Sequence, residues 1–120
     1  MTLAAHALAV QIEGRELVRD LDLTLAPGQF WALLGENGTG KTMLLHTLAG
    51  LLAPARGRVC IDGRDVATID RRTLASRVGV LLQDERADYW GSVAEYVALG
   101  RLPHGAAFEE PDPHAADVDA

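Results

Sequence analysis

The sequence predicts an α/β fold, and three observations carry that reading. An alternating strand pattern opens the chain, a continuous apolar run follows it, and a glycine-rich loop then leads from that run into a segment of helical periodicity.

Leu8 to Ile12 reads as a short strand and Glu13-Gly14-Arg15 as a turn. Leu21, Leu23 and Leu25 alternate with Asp22 and Thr24 as a half-buried strand, so the two opening strands pair like a hairpin. Pro27-Gly28 breaks the alternation, and Phe30-Trp31-Ala32-Leu33-Leu34 has the composition of a strand buried on both faces. Beyond the loop, Leu44, Leu45, Leu48, Leu51 and Leu52 recur at helical spacing, predicting a helix over 42–52 that Pro54 to Gly57 ends.

Arg58 to Ile61 is a predicted strand closed by an Asp62-Gly63 turn. Asp70 is the expected N-cap of a short helix reaching Ser76, and Val78 to Leu82 reads as another buried strand. Ser92-Val93-Ala94-Glu95 fits a capping box, with the helix expected to end at Gly100 and Pro103 lying beyond it. Asp112-Pro113 predicts one more helix start. Only about two turns of that helix would fit before Ala120, so an interrupted domain is expected.

Composition bounds the function. With 120 residues the chain can bury one modest core. No apolar run approaches the about 18 residues that span a bilayer, and no secretory signal is recognisable, so a cytoplasmic location is expected. The net charge is −6: eleven basic and twelve acidic residues precede residue 109, and five acids fall in 109–120. A near-neutral body without a basic stripe points away from nucleic acid as a partner. Cys60 between Val59 and Ile61 reads as a buried strand residue. His6, His46, His104 and His114 show no metal-ligand spacing.

Gly35-Glu36-Asn37-Gly38-Thr39-Gly40-Lys41-Thr42 fits G-x-x-x-x-G-K-[ST], placed between a predicted strand and a predicted helix. Such a loop must turn its amides inward around phosphate oxygens, which is least costly where glycine supplies the backbone freedom. The unpaired amides and dipole of the following helix favour the same anion. Lys41 reaches the β- and γ-phosphates and Thr42 offers its hydroxyl to Mg2+, so a nucleoside triphosphate with Mg2+ is the expected occupant.

From Leu8 to His104 the chain resembles the start of an ABC-transporter ATP-binding subunit. The resemblance rests on Asp20-Leu21-Asp22-Leu23, Pro27-Gly28-Gln29, Leu48-Ala49-Gly50-Leu51, Gly57-Arg58-Val59 and Asp62-Gly63 around the loop. It rests also on Val80-Leu81-Leu82-Gln83-Asp84, which looks like that family's Q-loop. The stretch Val93 to His104 is similar to importers of ferric siderophores, haem and cobalamin. The resemblance implies an α/β, P-loop NTPase core with an antiparallel β subdomain at the N-terminus, interrupted before the helical subdomain and the rest of the core. Residues 1–120 would then be the N-terminal part of one ATPase domain, with 105–120 beginning an acidic, interrupted helical region.

It further implies that Gln83 contacts the magnesium ion, that Lys41 and Gln83 serve catalysis, and that Gly35 through Met43 hold the nucleotide. The implied partners are membrane permease subunits and a second ATPase subunit in a homodimer, at the inner face of the cell membrane. Two positions depart from the family. Ile12 stands where an aromatic ring usually stacks on adenine, and Met43 where relatives carry a second hydroxyl that touches the α-phosphate. After Gln83 there is no Leu-Ser-Gly-Gly signature, no apolar strand ending in Asp-Glu and no switch histidine, so these 120 residues alone are expected to bind ATP without hydrolysing it. A non-transport ABC ATPase and a non-catalytic remnant are the alternatives.

Overall fold

The computed structural model describes residues 1–83 and 89–105. Expectations that fall on Asp84, His114, the Asp112-Pro113 helix start and the acidic end lie outside the described residues.

A four-stranded antiparallel sheet forms the framework, in the order β2-β1-β3-β4. Strand β1 spans Leu3–Ile12, beginning before the predicted Leu8, and β2 spans Arg15–Leu25, reaching back from the predicted Leu21 to the turn. Their hairpin closes on Ile12↔Arg15 through Glu13 and Gly14, at φ 47° and 81°. Two successive left-handed residues match the strand twist, which is why a glycine is used there. Strand β3, Arg56–Ile61, returns along β1, and β4, Arg64–Asp65, follows a second such turn at Asp62-Gly63.

Register irregularities interrupt β1, and Ala7 takes φ 44° within them while its amide donates to Asp22 Oδ1 at 2.9 Å. This bulge resets the side-chain alternation, so Ala5, Leu8 and Val10 all reach the core. Gly57 sits opposite at φ 75°, where a Cβ would come within 2.3 Å of the Ala7 carbonyl oxygen. No side chain fits between those two backbones.

Helix α1, Lys41–Leu48, lays Leu44 on that face against Ala5, Leu8, Val10 and Val59, with Met43 and Leu48 beside it. The helix stops at Leu48, four residues short of the predicted Leu52. Gly50 adopts φ 75°, and the amides of Gly50 and Leu51 turn back to the carbonyls of Thr47 and His46. The paired reverse bonds terminate the helix, leaving Leu51 and Leu52 exposed beyond it.

Helix α2, Arg71–Ala75, is capped by the Asp70 carboxylate, which accepts from the Thr73 amide at 2.9 Å. It carries Leu74 onto Ile61 and Ile69. Helix α3, Val93–Ala98, begins in the predicted capping box: Ser92 N–H donates to Glu95 Oε2 at 2.7 Å and Glu95 N–H to Ser92 Oγ at 3.2 Å. It does not end at Gly100. The chain tightens into a 3-10 helix over Leu99–His104 that includes Pro103 and closes on Gly105 at φ 86°. Arg72 Nε donates to the Pro103 carbonyl at 3.1 Å, tying this turn to α2.

The two predicted buried strands are corrected. Residues 30–34 and 78–82 form no strand, and Phe30 and Leu81 are each 94% exposed. A doubly covered strand requires a backbone ladder on at least one edge and packing above and below. Among the described residues neither run has a pairing strand. Cys60, by contrast, is a buried free cysteine on β3, as expected.

Candidate functional site

The loop of residues 35–40 closes on itself before α1 begins. Thr39 Oγ1 donates to the Glu36 carbonyl at 2.8 Å. The Lys41 ammonium donates to the Gly35 carbonyl at 2.6 Å and to the Glu36 carbonyl, so the lysine arches across the loop. Gly38 and Gly40 hold φ of 81° and 95°, a region L side chains rarely adopt. A Cβ on Gly35 would meet Thr39 Oγ1 at 3.1 Å, leaving little clearance inside the turn.

The N-cap of α1 is Gly40, which supplies no side-chain cap. The first amides of the helix are therefore left for another acceptor, with the helix dipole favouring an anion beside them. Met43 packs partly into the core, while Thr42 is exposed at the start of the helix.

A cleft of about 510 Å³ opens at this point. Asn37, Gly38, Gly40, Lys41, Thr42 and Met43 line its loop side, and Gln83 borders it too. The structure thus brings Gln83 to the loop, forty residues away in sequence. Gly35, Glu36 and Thr39 build the loop without lining the cleft.

The opposite wall is the β1–β2 hairpin, through Ile12, Glu13, Arg15 and Leu17. Leu17 buttresses the loop: a Cβ on Gly40 would lie 2.9 Å from Leu17 Cβ. Of these four, only Ile12 is singled out by sequence as a site position. No sequence pattern marks the others, because a register shift leaves Leu17 without a partner on β1 and breaks the alternation of β2 just before Val18. Glu16, between them, pairs with Arg19 and, at 2.9 Å, with Arg56. Those hydrogen bonds, Arg19's first and Arg56's next, hold the Glu16 carboxyl below the ordinary range.

The donor set fits a polyphosphate with a divalent cation. One ammonium and a row of uncapped amides face the cleft, together with a hydroxyl and a carboxamide, both hard oxygen donors suited to Mg2+.

Comparison with known proteins agrees with this geometry. The family described as ABC transporter matches residues 18–119. The hemin import ATP-binding protein HmuV of Bordetella parapertussis is 43% identical over 115 residues, covering 96% of this chain and 42% of that protein. HmuV of Rhizobium meliloti is 38% identical over 101 residues, covering 84% and 38%. A putative ABC transporter ATP-binding protein from Pyrococcus furiosus superposes with a TM-score of 0.53 at 26% identity, covering 57% of this chain and 34% of its own. The chain therefore spans about two fifths of the length of these HmuV relatives. Its phosphate-loop cleft and these matches together make it a member of the ABC transporter ATPase family.

Proposed function

We propose that this chain binds ATP with Mg2+ as part of the nucleotide-binding subunit of an ABC transporter, whose complete form couples ATP hydrolysis to import of a haem, iron-chelate or cobalamin-type substrate. The observation that carries the reading is the convergence of Lys41, Thr42 and Gln83 on one cleft beside an uncapped helix start. The import assignment leans on the hemin-import names of relatives 38–43% identical to this chain.

In this reading Gly35 through Met43 form the nucleotide cradle. The loop and α1 amides receive the phosphates, and the Lys41 ammonium moves from the Gly35 and Glu36 carbonyls to the β- and γ-phosphates. Thr42 and Gln83 hold the cation, which when bound neutralises the phosphate charge. Lys41 and Gln83 are the residues of this chain that would serve catalysis. Turnover is not assigned to these 120 residues, which contain no Leu-Ser-Gly-Gly signature and no apolar run ending in Asp-Glu after Gln83. Residues 1–120 act as the N-terminal part of one ATPase domain, paired in a homodimer and docked on membrane permease subunits at the inner face of the membrane, without nucleic acid. No helix among the described residues is long and apolar enough to cross a membrane.

Titration calorimetry with ATP and Mg2+ tests the binding claim. Lys41→Ala is expected to weaken ATP by about 10- to 100-fold, the worth of charge-assisted bonds to phosphate. Equal affinities for Lys41→Ala and the parent, or no ATP binding by the parent, would overturn the proposal.

A further inference from the structure

We propose that Arg15 is a base-contacting residue of the nucleotide cleft, its guanidinium lying against the face of the purine. The inference rests on the ATP-binding reading above and concerns the end of the cleft that the loop does not serve.

The placement follows from the strand geometry. Leu17 touches the position of Gly40, which fixes the loop end of β2 against the phosphate cradle. Arg15 precedes Leu17 by two residues on β2, on the turn side of the register shift that leaves Leu17 without a partner on β1, and both line the cleft. Ile12 stands directly across the hairpin from it, and both side chains line the cleft. A nucleotide with its phosphates at Lys41 and Thr42 extends its sugar and base away from the loop, and this wall is the one the cleft offers.

The chemistry of the wall selects the contact. A purine is a flat π-surface, and among the described residues no Phe, Tyr, Trp or His lines the cleft. Ile12 and Leu17 provide aliphatic surface. Among the described residues Arg15 adds the one planar cation on that wall, and a guanidinium stacks on an aromatic face through both its plane and its charge. Among the described residues the Arg15 guanidinium has no hydrogen-bond or ion-pair partner, whereas the adjacent Glu16 carboxylate is engaged with Arg19 and Arg56. Stacking on the base therefore breaks no interaction seen among those residues.

The competing role for an arginine at this wall is charge attraction to the phosphates, and the two make different demands on the ligand. Affinities for ATP and for inorganic tripolyphosphate, each with Mg2+, are measured by calorimetry on the parent, Arg15→Ala and Arg15→Trp. Base contact predicts that Arg15→Ala weakens ATP by about 5- to 30-fold with tripolyphosphate unchanged. It also predicts that Arg15→Trp, which restores a planar surface without charge, recovers most of the ATP affinity. Parallel weakening of both ligands in both variants would mean a phosphate contact and overturn the proposal, as would an unchanged ATP affinity in Arg15→Ala. A parent that binds tripolyphosphate but not ATP would overturn the ATP reading itself, and this one with it.

Discussion

The opening sheet and the two apolar runs at 30–34 and 78–82 are built from the same kinds of residue and end in opposite states. Leu8, Val59 and Ile61 are buried essentially completely, whereas Phe30, Leu34 and Leu81 stand in solvent. The difference lies in where each strand finds its hydrogen-bond partner. β1 meets β2 across the two-residue turn at Glu13-Gly14, and β3 meets β4 across Asp62-Gly63. Such pairings are local, so a short length of chain completes them. A strand buried on both faces belongs to a parallel sheet, in which each neighbour arrives by a long crossover. Apolar composition marks a segment that needs burial; it does not by itself provide the cover.

The largest test of that contrast is a pair of identical truncations. Leu8→Ala removes a fully buried side chain from the contact between the sheet and α1, and is expected to cost about 2–5 kcal/mol. Leu81→Ala removes an exposed one and is expected to change stability by less than about 0.5 kcal/mol. Urea denaturation followed by circular dichroism compares them. A comparable loss for Leu81→Ala would show that the second run is buried in solution and would dissolve the contrast.

The sequence was legible where the structure is set by local rules. The turn glycines Gly14 and Gly63, the Asp70 cap, the Ser92–Glu95 box and the glycine-rich loop stand where residue chemistry places them. The ends of α1 and α3 depart from the sequence pattern for identifiable reasons. Gly50 stops α1 by reversing the chain although leucines continue at helical spacing, and Pro103 is accommodated by a 3-10 turn instead of marking the chain beyond a helix end. The two runs depart from expectation because among the described residues no hairpin turn supplies either with an adjacent strand, which apolar composition does not reveal. At the site, the loop residues and Gln83 were readable from motif and resemblance. Arg15 and Leu17 were not, because their position depends on how the β1 bulge and hairpin aim β2 at Gly40.

A smaller effect probes the boundary between the two regions. α2 packs Leu74 on the sheet residue Ile61, and Val78 at the start of the second run packs on the same cluster. Asp70→Ala removes the acceptor of the Thr73 amide and is expected to lower stability by about 1 kcal/mol. The packed sheet should keep its slow amide exchange while residues 71–78 exchange faster. Uniform acceleration across β1 and β3 would show instead that α2 and the sheet unfold as one unit.

The smallest effect is a titration that separates the sheet from α3. Thr2 N–H donates to Asp62 beside the sheet, and the Ser92 amide and hydroxyl donate to Glu95 at the cap of α3; each set holds its carboxyl below the ordinary value. A lowered folded-state pKa means the stabilisation is fully present above the unfolded value, about 4.3 for glutamate, and is lost as pH falls through the folded one. The Ser92 amide resonance should therefore shift with a midpoint below that value as its acceptor is protonated. Glu95→Gln keeps an oxygen that can accept from Ser92 but removes the titration, so the shift should vanish while the cap persists. The Thr2 amide, which reports Asp62, should titrate unchanged in that variant. A Ser92 midpoint at or above the ordinary glutamate value would mean that the capping bond does not favour the ionised carboxylate, and the local rule that made α3 readable would no longer account for its start.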